Sequence, residues 1–545
     1  MLFNSNLFIF GFLPLAVLGF YALGSRSREW ALRWLIFISV LFYVSWRPLN
    51  LLLVAPSILL NFAIARTLQR LGADTRKAFR SRLLLILGIT FNVGFLGYFK
   101  YKNFFLEGMN DAFGTTFILT NVILPLGISF ITFQKIAFLV DVHAGRVESF
   151  TFQDYCLFVL FFPQLIAGPI VHFREMMPQF QQTRCRLDLD NASVGLTLFI
   201  FGLFKKVVLA DSIAPTVSSI YQRADAGAVI SLSTAWIAAI GFTLQIYFDF
   251  SGYSDMAIGL ARIFGIRLPA NFDSPLRATS IIDYWLRWHM TLTRFLTAYI
   301  YNPLVLALTR RRLRKGRSSL TLRNTTFGSF AMLLVFPTLV TMLISGIWHG
   351  AGYLFLLWGA LHGVFLSVNH AWRLIGPRLW KDSKSYQRVM VPVGFLLTFS
   401  AVTTAMVLFR AQTLHGAGEI VSGMVGMNGI GIPSALYARV EPFVSFLNGK
   451  LLFAESLWSL RDLVALTVWI AVLLFIALVC PNTLRILARH EPALNLNTSR
   501  VDKNEGLAAV WRWDANLVWA AVTAIVTIVS IVKLSGPSEF LYWQF

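Results

Sequence analysis

The sequence has few charged residues for its length. Charged side chains make up 13% of the 545 residues, apolar ones make up 57%, and the mean hydropathy is +0.66. A soluble chain of this composition could not cover its apolar surface, which excludes a set of ordinary soluble domains. Apolar windows of about 20 residues, long enough to cross a bilayer, recur along the chain. We therefore predict an all-α polytopic membrane protein.

Cysteines and metal-ligand patterns are scarce as well. The three cysteines, Cys156, Cys185 and Cys480, lie far apart with no CxxC pair, which excludes a disulfide framework and a structural zinc signature. The sequence also lacks an HExxH motif, a GxSxG nucleophile elbow and a glycine-rich nucleotide loop. We therefore expect no metal site and no bound cofactor.

The net charge of +21 comes from Lys and Arg residues that cluster between the apolar runs. Positive residues of this kind mark cytoplasmic loops, which face anionic lipid. We therefore place the basic segments Arg66–Arg82, Arg310–Arg317 and Arg485–Lys503 in the cytoplasm. The expected partner of this charge is the lipid bilayer and not nucleic acid.

The apolar runs predict about 11 spanning helices plus two or three half-helices. Residues 155–171 contain Pro163, Gly168 and Pro169, which predicts a broken, re-entrant or cavity-lining element. The arginines that follow the first apolar run have the wrong polarity for a cleaved signal peptide, so we expect a retained first helix. We predict one transmembrane domain over residues 1–545, with a motif-bearing core at about 118–372 and peripheral helices at 1–117 and 389–545. The apolar runs are 7–23, 32–46, 49–65, 83–99, 118–140, 155–171, 192–212, 229–250, 253–266, 281–302, 327–347, 352–371, 389–409, 461–480 and 515–534.

The strongest candidate for chemistry is His349, in Ser345-Gly-Ile-Trp-His-Gly-Ala-Gly352 between two apolar runs. A histidine at membrane depth is costly unless it faces a polar cavity or a partner, so it is a functional candidate by default. The surrounding small residues let backbone or substrate approach closely. We expect His362 to be structural, since thirteen residues along one helix would turn it to another face. Four further histidines lie near predicted loops and are expected at the surface or the membrane interface: His143, His172, His415 and His490.

A second candidate is His289, in Asp283-Tyr-Trp-Leu-Arg-Trp-His289. On a helix, Trp285 and His289 would share a face, with Trp288 beside them. Two interpretations stay open. The aromatic rings line a tunnel for an acyl chain or a thioester arm, or they form an interfacial aromatic belt around a structural histidine.

Carboxylates within the apolar runs are few. Asp249 and Asp255, with Tyr253 between them, lie in Tyr247-Phe-Asp-Phe-Ser-Gly-Tyr-Ser-Asp255. They are candidates for orienting a histidine in a polar cavity or for a proton path. A further polar strip in an apolar helix consists of Ser129, Gln134, Lys135 and Asp141.

Several of these stretches resemble the membrane-bound O-acyltransferase (MBOAT) family, and in particular its bacterial branch of the alginate O-acetylation type. The resemblance runs in order through nearly the whole chain. The matching segments are Leu124–Phe130, Phe162–Pro169, Gly202–Lys206, Tyr247–Gly259, Asn271-Phe272 with Pro275, Trp285–Thr291, Gly346–Ala351 and Phe409–Ala411.

This resemblance implies a ring of helices around a funnel or tunnel through the bacterial inner membrane. The family's near-invariant histidine falls on His349 and its second histidine on His289. Trp285, Trp288, Trp348, Tyr253 and the two carboxylates become candidates for lining the tunnel. The donor is expected to be acetyl-coenzyme A or another acyl thioester. The acetyl group is expected to emerge outside and to pass, often through a periplasmic partner of the SGNH type, to an exopolysaccharide. The immediate acceptor hydroxyl then belongs either to the glycan or to a partner protein.

The mechanism that this implies is general-base catalysis by His349 on the acceptor hydroxyl. Two other functions remain compatible with the sequence. One is a proton-coupled transporter that uses Asp249, Asp255 and the histidines as a relay. The other is a structural subunit of a polysaccharide synthesis or export complex.

Overall fold

The computed structural model describes residues 1–72, 75–119, 124–183, 185–317, 325–380, 382–433, 436, 439, 453–455, 458–496, 511–534 and 541. This part of the chain is mostly helical, as the composition predicted. The α-helices are α1 (Leu13–Gly24), α2 (Arg28–Val44), α3 (Leu49–Leu71), α4 (Ala78–Leu96), α5 (Lys102–Phe113), α6 (Ile128–His143), α7 (Phe152–Leu160), α8 (Phe162–Leu165), α9 (Phe173–Gln182), α10 (Leu189–Phe204), α11 (Asp211–Asp225), α12 (Leu232–Ile263), α13 (Ile281–Trp285), α14 (Met290–Leu296), α15 (Asn302–Arg314), α16 (Phe327–Phe330), α17 (Phe336–His349), α18 (Tyr353–Ile375), α19 (Ser383–Arg410), α20 (Leu414–Met424), α21 (Leu460–Leu478), α22 (Thr483–Ile486) and α23 (Leu517–Lys533).

Two short strands, β1 (Ile430–Ile432) and β2 (Phe453–Glu455), form a parallel pair in which Ile430 lies opposite Phe453. This pair is a departure from the all-α prediction. Wider π-helical turns interrupt or extend several helices, at Phe8–Phe12, Gly97–Tyr101, Lys205–Ala210, Thr297–Tyr301 and Ala331–Val335. Turns of 3-10 helix lie at Thr75–Lys77, Pro275–Arg277, Gly376–Leu379 and Ala488–His490.

Within the described residues, seven helices are long and apolar enough to cross a membrane, and two shorter apolar helices accompany them. The prediction of a polytopic helical protein is therefore confirmed, whereas the number of about 11 spans remains a prediction. The broken run at 155–171 is seen directly. Helix α7 ends at Leu160, α8 begins at Phe162, and Phe161 between them leaves the helical region with φ −50° and ψ 109°.

The chain forms two compact units and passes between them several times, once within α12. The first unit comprises Met1–Phe204, Ser251–Asn271 and Thr483–Pro537, and the second comprises Lys205–Phe250, Phe272–Asn482 and Ser538–Phe545.

In the first unit, glycines allow two helices to pack closely. A Cβ at Gly195 would lie 2.6 Å from the carbonyl oxygen of Gly259, and one at Gly202 would lie 2.5 Å from that of Gly252. Helix α10 therefore lies directly against the second half of α12. Small residues at such a crossing are typical of helix packing within membranes.

The predicted polar strip on α6 lies inside the first unit. Lys135 is 1% exposed, and its Nζ donates a hydrogen bond to Ser57 Oγ at 2.5 Å. The side-chain amides of Asn61 and Asn92 donate to one another, which links α3 to α4. These hydrogen bonds satisfy polar groups that would otherwise be buried at a cost.

In the second unit, α17 and α18 form an antiparallel hairpin whose backbones nearly touch. A Cβ at Gly359 would lie 2.4 Å from the carbonyl oxygen of Met342, and one at Gly346 would lie 2.2 Å from that of Phe355. Helices α13 and α19 both pack on α18. This arrangement brings the end of α17 close to α13, α18 and α19.

Candidate functional site

His349 is the last residue of α17, where the chain leaves the helix. Gly350 follows in an extended conformation, with φ −162° and ψ 155°, and α18 begins at Tyr353. A Cβ at Gly350 would lie 2.1 Å from the ring of Phe355. The glycines of the motif are therefore required by the close approach of α18, and they fix the position of His349 at the turn.

Aromatic rings surround the imidazole of His349, which is 5% exposed. The ring centroids of Trp348, Trp358 and Phe409 lie 4.9 Å, 5.2 Å and 5.2 Å from that of His349. All three contacts are edge-to-face, the arrangement that aromatic pairs favour. The imidazole is thus held in a defined orientation in surroundings that exclude bulk water.

The helical prediction for Trp285 and His289 is wrong. Helix α13 ends at Trp285, and α14 begins only at Met290. His289 lies between them in the left-handed region, with φ 43° and ψ 51°. A non-glycine residue in this region costs roughly 1–2 kcal/mol. Such strain is commonly found at functional sites, where the surrounding structure enforces it.

The turn carries His289 into the interior of the second unit, where it is 0% exposed. Its ring centroid lies 4.8 Å from that of Phe250, 6.0 Å from that of Trp348 and 6.4 Å from that of His349. The structure therefore brings the two predicted catalytic histidines together.

His289 lies outside the candidate membrane-spanning helices. Burial lowers the pKa of His289 from its usual 6.5 to about 3, because the charged imidazolium would lose its hydration. The ring is therefore neutral at physiological pH, with one nitrogen as a hydrogen-bond donor and the other as an acceptor.

Trp285 and Trp288, both predicted to line the site, each contact Tyr284, at 5.9 Å and 5.7 Å between ring centroids, and differ in their other neighbours. The ring of Trp285 lies 5.9 Å from that of Trp358 and 5.3 Å from that of His362. Trp288 instead packs edge-to-face on Phe272 at 5.1 Å. Trp285 therefore belongs to the ring cluster that continues from His349, and Trp288 adjoins that cluster through Tyr284.

A cavity of about 270 Å³ adjoins this cluster. Its wall combines apolar side chains with the hydroxyls of four threonines and a tyrosine. Trp285 belongs both to this wall and to the ring cluster. The lining residues are Ile282, Trp285, Leu286, Thr293, Leu296, Thr297, Tyr301, Thr338, Thr341, Met342, Leu366 and His370.

The remaining predicted site residues lie elsewhere. Asp249 pairs with Lys206, whose Nζ lies 2.7 Å from Asp249 Oδ1 and 2.7 Å from Asp211 Oδ1. Tyr253 and Asp255 belong to the first unit, where the Tyr253 ring stacks on Phe3 at 5.0 Å. Their assignment to a substrate path remains a prediction.

Sequence reasoning missed Trp358, Phe409 and Phe250 as members of the site. Trp358 and Phe409 contact His349, and Phe250 contacts His289. Phe409 did stand in one of the segments that resemble the MBOAT family. No local signal marks Trp358, which is one of sixteen tryptophans in the sequence.

Two other histidines differ from their expected surroundings. His362, expected to face away from His349, lies 4.8 Å from Trp358 between ring centroids, and Trp358 itself contacts His349; a structural role for His362 remains a prediction. His172, expected at the surface, is 5% exposed. Across the described ranges, no three His, Cys, Asp or Glu side chains come together as metal ligands would.

Comparison with known proteins supplies the family. The model of the membrane-bound O-acyltransferase family matches residues 142–322, a range that includes His289 and ends before His349. The peptidoglycan O-acetyltransferase of Helicobacter pylori is 38% identical over 488 residues, covering 84% of this chain and 86% of that protein. The chain belongs to the membrane-bound O-acyltransferase family.

Other members of the MBOAT family match as well. The probable alginate O-acetylase AlgI of Pseudomonas putida is 32% identical over 557 residues and covers the full length of both proteins. The teichoic acid D-alanyltransferase of Streptococcus thermophilus is 27% identical over 296 residues, covering 52% of this chain and 68% of that protein. The predictions of a multi-pass membrane protein and of an O-acyltransferase are thereby confirmed.

Proposed function

We propose that this MBOAT protein transfers an acyl group, most simply acetyl, from a cytoplasmic thioester to a hydroxyl acceptor, for the O-acetylation of an extracytoplasmic polysaccharide. The observation that carries the proposal is the pairing of His289 and His349 in a buried aromatic enclosure, with ring centroids 6.4 Å apart. The relatives named for O-acetylation of peptidoglycan and of alginate support the acetyl group and the glycan acceptor. The bilayer that holds the enzyme is then the bacterial inner membrane.

In the proposed reaction, His349 acts as general base. It takes the proton of the acceptor hydroxyl while the hydroxyl oxygen attacks the thioester carbonyl carbon. As the C–S bond breaks, the proton passes from His349 to the thiolate, which leaves as a free thiol. A positioned imidazole contributes roughly 10²–10⁴-fold to such a step.

His289 and the tunnel residues have supporting roles in this proposal. His289, neutral because of its burial, helps to hold the reacting groups, and Trp285 lines the approach from the adjoining cavity. The thioester is acetyl-coenzyme A or a related donor, whose phosphates the basic cytoplasmic loops would attract. A periplasmic SGNH-type protein is the partner that would pass the acetyl group to the glycan.

A proton-coupled transporter is less well supported. Its proposed relay depends on Asp249, whose carboxylate is paired with a Lys206 side chain that is only 1% exposed. Because Asp249 is held as a partner of Lys206, its burial is explained by this ion pair without a proton relay.

The test is complementation of a deletion strain, followed by measurement of ester-linked acetate on the cell-envelope and secreted glycans. We expect wild type and His415→Ala, an exposed histidine on α20, to restore the ester, and His349→Ala to leave it absent at equal abundance in the membrane. Restoration of the ester by His349→Ala would remove the general-base assignment. Absence of any ester difference between the deletion strain and wild type would remove the acetyl-transfer proposal itself.

A further inference from the structure

Behind His349 lies a second group of rings whose polar atoms are not satisfied by the protein. Trp285, Trp358, His362 and Tyr284 are 5%, 1%, 0% and 1% exposed. Among the described residues, the indole Nε1 of each tryptophan, both ring nitrogens of His362 and the Tyr284 hydroxyl have no hydrogen-bond partner. Buried polar atoms without partners are costly, and in native proteins each calls for an explanation.

These four rings form one compact cluster. The centroid of His362 lies 4.8 Å from that of Trp358, 5.3 Å from that of Trp285 and 6.4 Å from that of Tyr284. Trp358 also contacts His349 at 5.2 Å, so a single ring joins the cluster to the proposed base. We refer to these four residues as the indole pocket.

The chemistry of the indole pocket restricts what it can bind. An indole N–H only donates hydrogen bonds, so a complementary ligand must offer an acceptor. The four side chains are uncharged rings with almost no exposure, which disfavours an ion as the ground-state ligand because its desolvation would not be repaid. The matching ligand is a small, neutral hydrogen-bond acceptor such as a carbonyl oxygen.

We propose that the indole N–H groups of Trp358 and Trp285 bind the carbonyl oxygen of the acyl group, with His362 and Tyr284 completing the pocket. This inference rests on the acyl-transfer function proposed above. As the hydroxyl attacks, negative charge develops on that oxygen, and N–H donors in a water-poor site stabilise the charge more than they stabilise the neutral carbonyl. The pocket would therefore act on the rate of the chemical step and much less on donor binding.

The test uses inverted membrane vesicles from the deletion host that carry the full-length protein, supplied with radiolabelled acetyl-coenzyme A. The initial rate of label incorporation into glycan is measured as a function of donor concentration. Trp358→Phe keeps an aromatic ring and removes the N–H. We expect it to lower the maximal rate by roughly 10²-fold with the apparent KM for the donor within about twofold of wild type. Trp372→Phe, an exposed tryptophan on the same helix, is the matched control and should retain the full rate.

Each outcome separates this inference from the function on which it rests. If Trp358→Phe keeps the wild-type maximal rate while His349→Ala is inactive, the carbonyl-binding role is wrong and acyl transfer stands. If wild-type vesicles incorporate no label, the proposed donor or function fails first. If Trp358→Phe does not accumulate in the membrane, Trp285→Phe replaces it, and we expect the same loss of maximal rate. Trp358→His keeps a ring N–H at position 358 and should keep part of the wild-type rate. Equal rates for Trp285→Phe and wild type would overturn the proposal.

Discussion

The imidazole rings of His289 and His349 both contact the ring of Trp348, at centroid distances of 6.0 Å and 4.9 Å. One histidine ends helix α17, and the other sits in a left-handed turn between α13 and α14. Two different interruptions of helical structure thus converge on one tryptophan. We therefore expect the two histidines to act as one unit.

The first prediction concerns that unit. We expect His349→Ala to lower the rate of acetyl transfer by roughly 10²–10⁴-fold, and His289→Ala to lower it by a similar factor. Groups that act together are non-additive, so the double variant should be hardly slower than His349→Ala alone. Initial rates in membrane vesicles check this, with His415→Ala as control. Multiplication of the two single effects in the double variant would show that the histidines act independently.

The second prediction concerns the pH dependence of stability. Because burial lowers the pKa of His289 from 6.5 to about 3, the unfolded chain binds a proton below pH 6.5 that the native protein does not bind. His289 therefore destabilises the native state as the pH falls through 6.5, by about 2 kcal/mol at pH 5.

Unfolding in detergent micelles at pH 7.5 and pH 5 measures this effect. His289→Asn should lose about 2 kcal/mol less than wild type over that interval. His415→Asn, changed at an exposed site, should follow wild type. An identical loss in His289→Asn and wild type would contradict the burial of a neutral imidazole.

The third prediction concerns the hairpin of α17 and α18. Gly346→Ala would place a methyl group 2.2 Å from the carbonyl oxygen of Phe355. The helices must separate, which should cost about 1–3 kcal/mol of stability. Displacement of His349, one turn away, should reduce activity at least tenfold, since misplaced catalytic groups are costly.

Thermal unfolding and the vesicle assay on the same preparations check this prediction. Gly418→Ala is the matched control, because a Cβ at that position of α20 meets no atom within 4 Å. Full activity of Gly346→Ala would mean that the backbone contact does not position His349.

The fourth prediction concerns Asp249. Asp249→Ala removes one of the two carboxylates that pair with Lys206 Nζ, whose side chain is 1% exposed. Breaking a buried pair costs roughly 3–5 kcal/mol, and because the contact with Asp211 remains, we expect a loss of about 3 kcal/mol. Denaturant unfolding measures it, with Asp462→Ala at an exposed helix start as control. A fully stable Asp249→Ala protein without activity would instead favour a direct role in the reaction path.

The sequence predicted the parts of this site that leave a local signal and missed those that depend on tertiary packing. His349 and the break after it were predictable, because glycines cluster beside a histidine between two apolar runs. The interior location of His289 was predicted, but its placement on one helix with Trp285 was not correct. A helical pattern rests on spacing, and nothing in Leu286–Trp288 forbids a helix. The left-handed turn is imposed by packing in the completed fold.

Trp358 and Phe409 illustrate the other limit. They lie on α18 and α19, and only tertiary packing brings them to His349. The same holds for Lys206 and Asp249, which stand on separate helices. Long-range contacts of this kind leave no local periodicity to detect. The resemblance to the MBOAT family identified both histidines, because the family's motifs include residues that only the tertiary fold brings together.

The close contact of α17 with α18 makes part of the candidate site inflexible. His349, Trp358 and His362 are carried by two helices that have no space to slide past each other. Phe409 and His289 come from α19 and from the turn before α14, and their rings lie 5.2 Å and 6.4 Å from that of His349. A site built in this way has a fixed wall and an adjustable one. Substitutions at Phe409 and around His289 would then adapt the site to acceptors of different shape. The position of His349 on the hairpin would stay the same.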